Sequence, residues 1–278
     1  MSHILLLQNL ISLSLVMCLR FLTGESVTFA FVNRCGDTIW PGVLSNSGSS
    51  KLETTGFELP AGASRTLLAP SGWSGRFWAR TGCSFDAAGH GSCATGDCGS
   101  GQVECNGAGA APPATLAEFT LDGSEGKDFY DVSLVDGYNL PMVVEVTGGD
   151  GCAATGCAAD LNRRCPAELK LGDGHAAACR SACEAFGRPE FCCSGEYDSP
   201  TTCRPSVYSA MFKSACPRSQ KATKNSAPKT TEPVMEDDSW LASLASGDGD
   251  PTRRRASSLL PASLTVAVTT TGLLFAFF

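Results

Sequence analysis

The sequence predicts a mainly β domain that carries two disulfide-rich lobes. Between positions 27 and 121, short apolar runs alternate with polar residues and are separated by Gly, Ser, Asn and Pro, a pattern typical of a β-sandwich or barrel. Fourteen of the fifteen cysteines lie between Cys35 and Cys216. This cysteine density indicates an oxidising compartment outside the cytosol, where disulfides form and persist.

The chain begins with an apolar stretch over residues 10–19, followed by Gly24 and Ser26 in a small-x-small pattern suited to signal peptidase. We therefore expect residues 1–26 to be a signal peptide that is removed together with Cys18. The alternative is a buried first strand, which the cysteine density disfavours because disulfides require export.

Two segments depart from the alternating β pattern. Residues 83–113 contain four cysteines and a glycine every few positions, so we expect a small loop-rich lobe held by short-range disulfides and little else. Residues 176–186 suit a helix, which Gly187 and Pro189 should end. This segment predicts a second, disulfide-rich lobe with one main helix.

The composition changes after Cys216 to Pro, Ser, Thr, Lys and acidic residues. We expect a disordered stalk over residues 218–247, because such segments bury too little apolar surface to fold. Residues 259–278 then form a twenty-residue segment without charge, long enough to cross a membrane. The basic residues 253–255 precede it, on the side that a secreted chain leaves outside, and this order argues against a retained span.

Small residues, a polar spacer and an apolar tail follow one another near the C-terminus, in the order of a GPI-attachment signal. We therefore expect lipid attachment at Ser246 or Gly247, with residues 248–278 removed as a propeptide. The folded domain would then occupy residues 27–217. Its expected location is extracellular, on the outer face of the plasma membrane or in the apoplast.

The predicted mature part is acidic, with 17 basic and 25 acidic side chains in residues 27–247 and a net charge of −8. An acidic surface repels phosphate backbones, so nucleic acid is not expected as a partner. No cofactor and no metal are expected either. His90 and His175 lie in Gly-rich or Ala-rich surroundings, without the clustered ligands that a metal site requires.

One extended motif is similar to a known family. Residues 89–105 read Gly-x-Gly-x-Cys-x-Thr-Gly-Asp-Cys, followed by Gly101 and Cys105, which resembles the signature of the thaumatin-like proteins, the family of thaumatin, osmotin and zeamatin. Matching segments extend this resemblance over residues 27–217; they lie at 32–35, 78–83, 112–119, 191–196 and 208–217. The resemblance implies a β-sandwich with a helical disulfide lobe and a small loop lobe, in a pathogenesis-related plant defence protein.

The resemblance also implies six disulfides: Cys83–Cys93, Cys98–Cys105, Cys157–Cys216, Cys165–Cys179, Cys183–Cys192 and Cys193–Cys203. In the family, cysteines of the final strands pair with the positions of Cys35 and Cys152, and the stalk replaces those strands here. We therefore expect an exposed sheet edge, with Cys35 and Cys152 either as thiols or bonded to each other. Each missing bridge would remove about 2–4 kcal/mol of stability.

An acidic cleft is a further implication of the resemblance. Glu118, Asp131 and Asp136 match three of its acidic positions, whereas Ala111 stands where its arginine would be. Its last Asp belongs to the missing strands. The apolar alternation in residues 117–121 and 130–134 separately places Glu118 and Asp131 on one outer face, directly opposite or one step apart. Asp136 precedes Gly137, and a turn-forming role is the alternative for it.

We expect first a secreted, membrane-tethered, monomeric defence protein that binds β-1,3-glucan or a related wall polysaccharide through this cleft. Two nearby carboxylates are also the minimum for glycoside hydrolysis, so Glu118 and Asp131 are candidate catalytic residues of a weak endo-β-1,3-glucanase. The alternative is that they are ordinary solvated carboxylates. The third possibility is a structural or signalling component at the wall–membrane interface.

Overall fold

The computed structural model describes residues 26–148, 152–219, 222–223 and 264–270, which form two packed five-stranded sheets and two lobes. The first sheet has the order β10-β9-β14-β1-β3; these are β1 (Ser26–Val32), β3 (Ser64–Pro70), β9 (Met142–Thr147), β10 (Thr155–Cys157) and β14 (Leu264–Thr270). The second has the order β13-β8-β7-β4-β2; these are β2 (Trp40–Ser45), β4 (Ser74–Arg80), β7 (Leu116–Thr120), β8 (Phe129–Ser133) and β13 (Ala222–Thr223). The predicted fold class, mainly β with disulfide-rich lobes, is confirmed.

The hydrophobic core lies between the two sheets and is rich in aromatic rings. Phe29 of β1 is fully buried, and its ring centroid lies 4.8 Å from that of Phe77 in β4 and 4.8 Å from that of Phe119 in β7. Both contacts are edge-to-face, a geometry that stabilises aromatic pairs beyond the burial of their surface. The apolar alternation in these strands therefore identifies the inner face of each sheet.

Strand β14 occupies the middle of the first sheet. It pairs antiparallel with β1 and parallel with β9, and Val266 is the register partner of both Phe31 and Val144. The expectation of an exposed edge is wrong for this sheet. Strand β14 pairs with β1 and with β9, whose facing sides would otherwise have no partner strand. Leu264–Thr270 can do so because its residues alternate between larger apolar and small or hydroxyl-bearing types, a pattern compatible with a half-buried strand.

Several sequence predictions concern residues outside the described ranges. The expected signal peptide is one, apart from Ser26, the first residue of β1. Ser246, Gly247 and most of the expected stalk are others. Among the described residues, no helix has the length and apolar character needed to cross a membrane.

The small lobe contains the two-stranded pair β5 (Ser84–Phe85) and β6 (Gly91–Ser92). The expectation that short-range disulfides and little else hold this lobe was wrong, because the fully buried Arg80 also holds it. The Arg80 guanidinium donates hydrogen bonds to the carbonyl oxygens of Val103 at 2.6 Å and Trp40 at 3.0 Å. Burial lowers the pKa of this guanidinium to about 10, while the charges of Asp97 and Glu104 oppose that shift.

The helical lobe contains β11 (Lys170–Leu171), β12 (Ala178–Cys179), α1 (Ala182–Phe186), α2 (Pro189–Cys192) and α3 (Val207–Ala215). The helix expected over residues 176–186 begins only at Ala182, because the preceding residues form β12. Ser181 caps α1 by accepting a hydrogen bond from the Glu184 backbone, and Gly187 ends it in the left-handed conformation. The longest helix of the lobe is α3.

All six disulfides implied by the family resemblance are present, and Cys35 and Cys152 remain thiols. Burial raises the pKa of the Cys35 thiol to about 11, with a further contribution from the Asp37 charge. The Cys152 side chain is hydrogen-bonded to Tyr130. The two thiols therefore differ in their surroundings: burial dominates at Cys35, and a hydrogen bond to a tyrosine is present at Cys152.

Candidate functional site

A row of charged side chains crosses the outer face of the second sheet. Arg76 in β4 is the register partner of Glu118 in β7, and Glu118 is the register partner of Asp131 in β8. Side chains alternate between the faces of a strand, so the burial of Phe77 and Val132 in the core directs Arg76 and Asp131 outward. The sequence-based register of Glu118 and Asp131 is confirmed, in its directly opposite form.

Arg76 and Glu118 form an ion pair in this row. Arg76 Nη1 lies 3.6 Å from Glu118 Oε1, and each side chain is 36% exposed. The Arg76 Nε atom is buried and has no hydrogen-bond partner among the described residues. Half-exposed ion pairs contribute little to stability, so both groups can exchange this contact for contacts with a ligand.

Arg76 is a candidate site residue that the family-based reading missed. That reading assigned the arginine position to Ala111, whereas the structure places Arg76 directly beside Glu118. The alternation in Gly75-Arg76-Phe77 is the sequence pattern from which an outward-facing Arg76 could have been predicted. An inward Phe77 requires an outward Arg76 on a strand that neighbours β7.

The small lobe borders one side of the charged row. The next row along the same strands is Trp78, Leu116 and Ser133. Trp78 and Leu116 are buried in a cluster with Cys98 and Cys105 of the small lobe. The lobe therefore covers the sheet up to the position where Arg76, Glu118 and Asp131 begin.

Asp136 lies outside the row, in the turn between β8 and β9, beside the helical lobe. The Gly137 N–H donates to the carbonyl oxygen of Leu134 at 3.1 Å, and Ala114 N–H donates to the carbonyl oxygen of Asp136 at 2.9 Å. Asp136 therefore lies in a turn, as the alternative interpretation of the sequence expected, while its part in an acidic cleft stays a prediction. Its carboxylate is also close enough to Glu184 of α1 to influence the titration of that group.

Glu184 of the helical lobe lies near enough to Asp136 for the two charges to interact. Burial raises the pKa of the Glu184 carboxyl above its ordinary value, the Arg180 charge opposes this shift, and the Asp136 charge adds to it. The sequence spacing Ser181-x-x-Glu184 indicates a helix start. No local pattern indicates that this helix start lies near Asp136, since that proximity depends on how the helical lobe packs against the sandwich.

Gly137 fixes the junction between the sandwich and both lobes. Its φ of +83° lies in the left-handed region, and a Cβ atom there would lie 2.6 Å from the Cys179 carbonyl oxygen and 2.8 Å from Pro113 Cβ. Only glycine fits this position without movement of the neighbouring chain. Tyr138 and Cys179 continue the junction with reciprocal backbone hydrogen bonds of 2.8 and 2.7 Å.

The chemistry of the site is that of carboxylates and a guanidinium. Arg76 can donate several hydrogen bonds, while Glu118 and Asp131 can accept them, so the row suits a ligand rich in hydroxyl groups. In the described part of the chain, no group of three or more His, Cys, Asp or Glu residues could hold a metal ion. His90 instead lies beside Asp86, with 3.7 Å between Nδ1 and Oδ2.

Comparisons with known proteins agree with this architecture. The thaumatin family matches residues 33–241. The chain is 57% identical over 237 residues to Thaumatin-like protein 1 of Arabidopsis thaliana, covering 82% of this chain and 90% of the relative. It is 52% identical to Pathogenesis-related protein 5 of Arabidopsis thaliana, covering 75% and 88%, and 53% identical to a Glucan endo-1,3-beta-glucosidase of Prunus avium, covering 74% and 85%.

Proposed function

The chain belongs to the thaumatin family, and on that basis we propose that it is an extracellular defence-related protein that binds β-1,3-glucan or a related wall polysaccharide. The binding surface is the row formed by Arg76, Glu118 and Asp131. The observation that carries this proposal is their direct register across three adjacent strands. The six disulfides support an extracellular location, because such bonds persist in oxidising compartments.

The geometry of the row suits an extended, neutral polymer. Neighbouring strands lie about 4.8 Å apart, so the three side chains present one donor group and two acceptor groups over about 10 Å. A glucan carries hydroxyl groups along its whole length and no charge, so the net charge of −7 on the chain does not repel it. Acidic polymers would meet that repulsion.

The test is retention on insoluble β-1,3-glucan, measured for the wild type and for Arg76→Gln and Glu118→Gln. We expect each substitution to weaken binding about tenfold or more, because a hydrogen bond to a charged group contributes about 1.5–3 kcal/mol. Glu53→Gln is the matched control. Glu53 also forms an ion pair with an arginine, Arg65, at 3.2 Å, and both of these side chains are exposed. This pair lies outside the row.

Two results would contradict the binding proposal. One is equal retention of the Glu118→Gln and Glu53→Gln variants, which would exclude the charged row as the binding surface. The other is failure of the wild type to bind any wall polysaccharide. That second result would favour a protein partner and a structural or signalling role at the wall–membrane interface.

A weak endo-β-1,3-glucanase activity is the second candidate. The name of the Prunus avium relative supports it, as does the direct pairing of Glu118 with Asp131, since glycosidases use two carboxyl groups that flank one bond. The measurement is the release of reducing ends from laminarin by wild type, Glu118→Gln and Asp131→Asn. Release that both substitutions abolish would support catalysis by this pair, whereas no release by the wild type would remove it.

A GPI-type membrane tether is a rival proposal for the tail, which the order of its residues supports. It requires removal of residues 248–278 and is therefore an alternative to a lasting strand formed by residues 264–270. Ser246 and Gly247 lie outside the described residues. The test is treatment of intact cells with phosphatidylinositol-specific phospholipase C. Release of the protein would support the tether, and a protein found only in the soluble apoplastic fraction before treatment would contradict it.

A further inference from the structure

The C-terminal strand β14 is paired along both of its sides. Residues Val27 to Val32 of β1 pair with Thr270 to Thr265 on one side. On the other side, β9 pairs with β14 from Met142, opposite Leu264, to Thr147, opposite Thr269. Strand β14 is therefore an interior strand of the sheet and joins β9 and β10 to β1 and β3.

The register of β14 matches the core of the sandwich. Val266 is the register partner of Phe31 and Val144, which are both fully buried. Thr269 is the register partner of Thr28 and of a β9 threonine, which are both half-buried. Because the period of a strand is two residues, positions 264, 266 and 268 of β14 are in register with the buried residues Met142, Phe31 and Phe29 of the neighbouring strands. A shift by one residue would reverse that arrangement.

Cleavage for lipid attachment would remove this strand. A cut after Ser246 or Gly247 separates residues 264–270 from the domain. The facing sides of β1 and β9 would then lose the backbone partners that β14 supplies, and a buried unpaired backbone group is costly. The core residues Phe29, Phe31 and Met142 would also lose the strand that pairs beside them in the sheet.

We propose that Leu264–Thr270 is a permanent strand of the folded domain, so that strand insertion and lipid attachment at Ser246 or Gly247 exclude each other. Residues 224–263 connect β13 to β14, and forty residues can span about 130 Å, which permits insertion of the chain's own tail. Residues 264–270 then stay with the folded domain, and the GPI-type tether is the alternative that this proposal opposes. This inference is independent of glucan binding.

The first experiment identifies the C-terminus of the folded, secreted protein. The full chain is expressed through the secretory pathway, purified, reduced, denatured and digested with trypsin. Because no Lys or Arg follows Arg255, an intact tail yields one peptide of residues 256–278. We expect this peptide in amounts equal to peptides from the sandwich. A folded protein that ends at Ser246 or Gly247 with phosphoethanolamine attached would overturn the proposal.

The second experiment compares Val266→Asp with Thr269→Asp, which place the same charge at two positions of the same strand. Val266 is opposite fully buried residues on both sides, and Thr269 is opposite half-buried ones. We expect Val266→Asp to lower the melting temperature by about 10 °C or more, or to abolish secretion, and Thr269→Asp to change it by a few degrees only. Equal melting temperatures for both variants and the wild type would overturn the proposal.

Hydrogen exchange of the unmodified chain gives a measurement that does not depend on how a variant folds. We expect the backbone amides of residues 265–270 to exchange as slowly as those of β1, because both belong to one paired sheet. Rapid exchange of residues 265–270, beside slow exchange of β1 and β9, would show that β14 is not a lasting part of the sheet.

Discussion

The sandwich and the helical lobe are held together by different means. All six disulfides lie after residue 82, in the small lobe and in residues 157–216, so β1 to β4 and β7 to β9 contain none. Their stability comes from a large apolar core that includes Phe29, Phe31 and Phe77. The helical lobe has a smaller core, which includes Tyr138, Leu161 and two of its disulfides.

This difference follows from how much apolar surface each region can bury. A packed sandwich buries enough surface to fold on hydrophobic free energy, whereas short helices and loops need covalent links to limit the unfolded chain. The charged row lies on the sandwich, while Glu184 lies on the lobe. The relative position of the two therefore depends on both kinds of stabilisation.

The largest expected effect comes from a cavity in the sandwich core. The Phe77 ring lies 4.8 Å from Phe29, 5.0 Å from Phe31 and 5.2 Å from Trp73. We expect Phe77→Ala to lower the free energy of unfolding by about 3–5 kcal/mol, measured by denaturant titration. The control is Phe186→Ala in the helical lobe, where the ring is 37% exposed and a smaller loss is expected. A larger loss for Phe186→Ala would reverse the comparison.

The next effect should come from the disulfide that links the helical lobe to the sandwich. Cys157 lies in β10 and Cys216 follows α3, with a sequence separation of 59. Loop-closure entropy predicts a loss of about 4 kcal/mol for Cys157→Ser/Cys216→Ser, against about 2 kcal/mol for Cys98→Ser/Cys105→Ser, whose separation is 7. Thermal melting of the two double variants measures the difference. Equal losses would show that loop length does not determine the stabilisation.

A smaller effect is expected from the buried arginine beneath the small lobe. Arg80→Met keeps much of the side-chain volume but leaves the carbonyl oxygens of Val103 and Trp40 without their donor. We expect a loss of about 1–3 kcal/mol and faster proteolysis within residues 83–113, while the cleavage rate elsewhere is unchanged. Arg65→Met removes an exposed ion pair instead and serves as the control. Unchanged cleavage in Arg80→Met would mean that the disulfides are sufficient for this lobe.

The smallest effect on stability concerns the Cys35 thiol. Burial raises its pKa from 9.0 to about 11, so at pH 8 the reactive thiolate is about 100-fold less abundant than in the unfolded chain. We expect alkylation of Cys35 by iodoacetamide to be slower in the native protein by at least that factor. The shift stabilises the fold below pH 9, and this contribution is lost as the pH rises towards 11. Equal rates in native and denatured protein would contradict it.

The residues that sequence reasoning located depend on local alternation, and those it missed depend on packing between distant segments. Glu118 and Asp131 follow from the parity of two neighbouring strands. Arg80 was missed because its partners, such as Val103, lie in another lobe, and Glu184 was missed because α1 meets Asp136 only in three dimensions. Strand β14 was missed because its uncharged composition also suits a membrane-anchoring tail.

The pairing of β1 with β14 sets an order of events for biosynthesis. The first of these strands leaves the ribosome early, whereas its partner begins more than 230 residues later in the chain. Contacts between such distant segments form slowly, and until they form the unpaired strand is prone to aggregation. The sheet can therefore close around β1 only after the whole chain between the two strands has been synthesised.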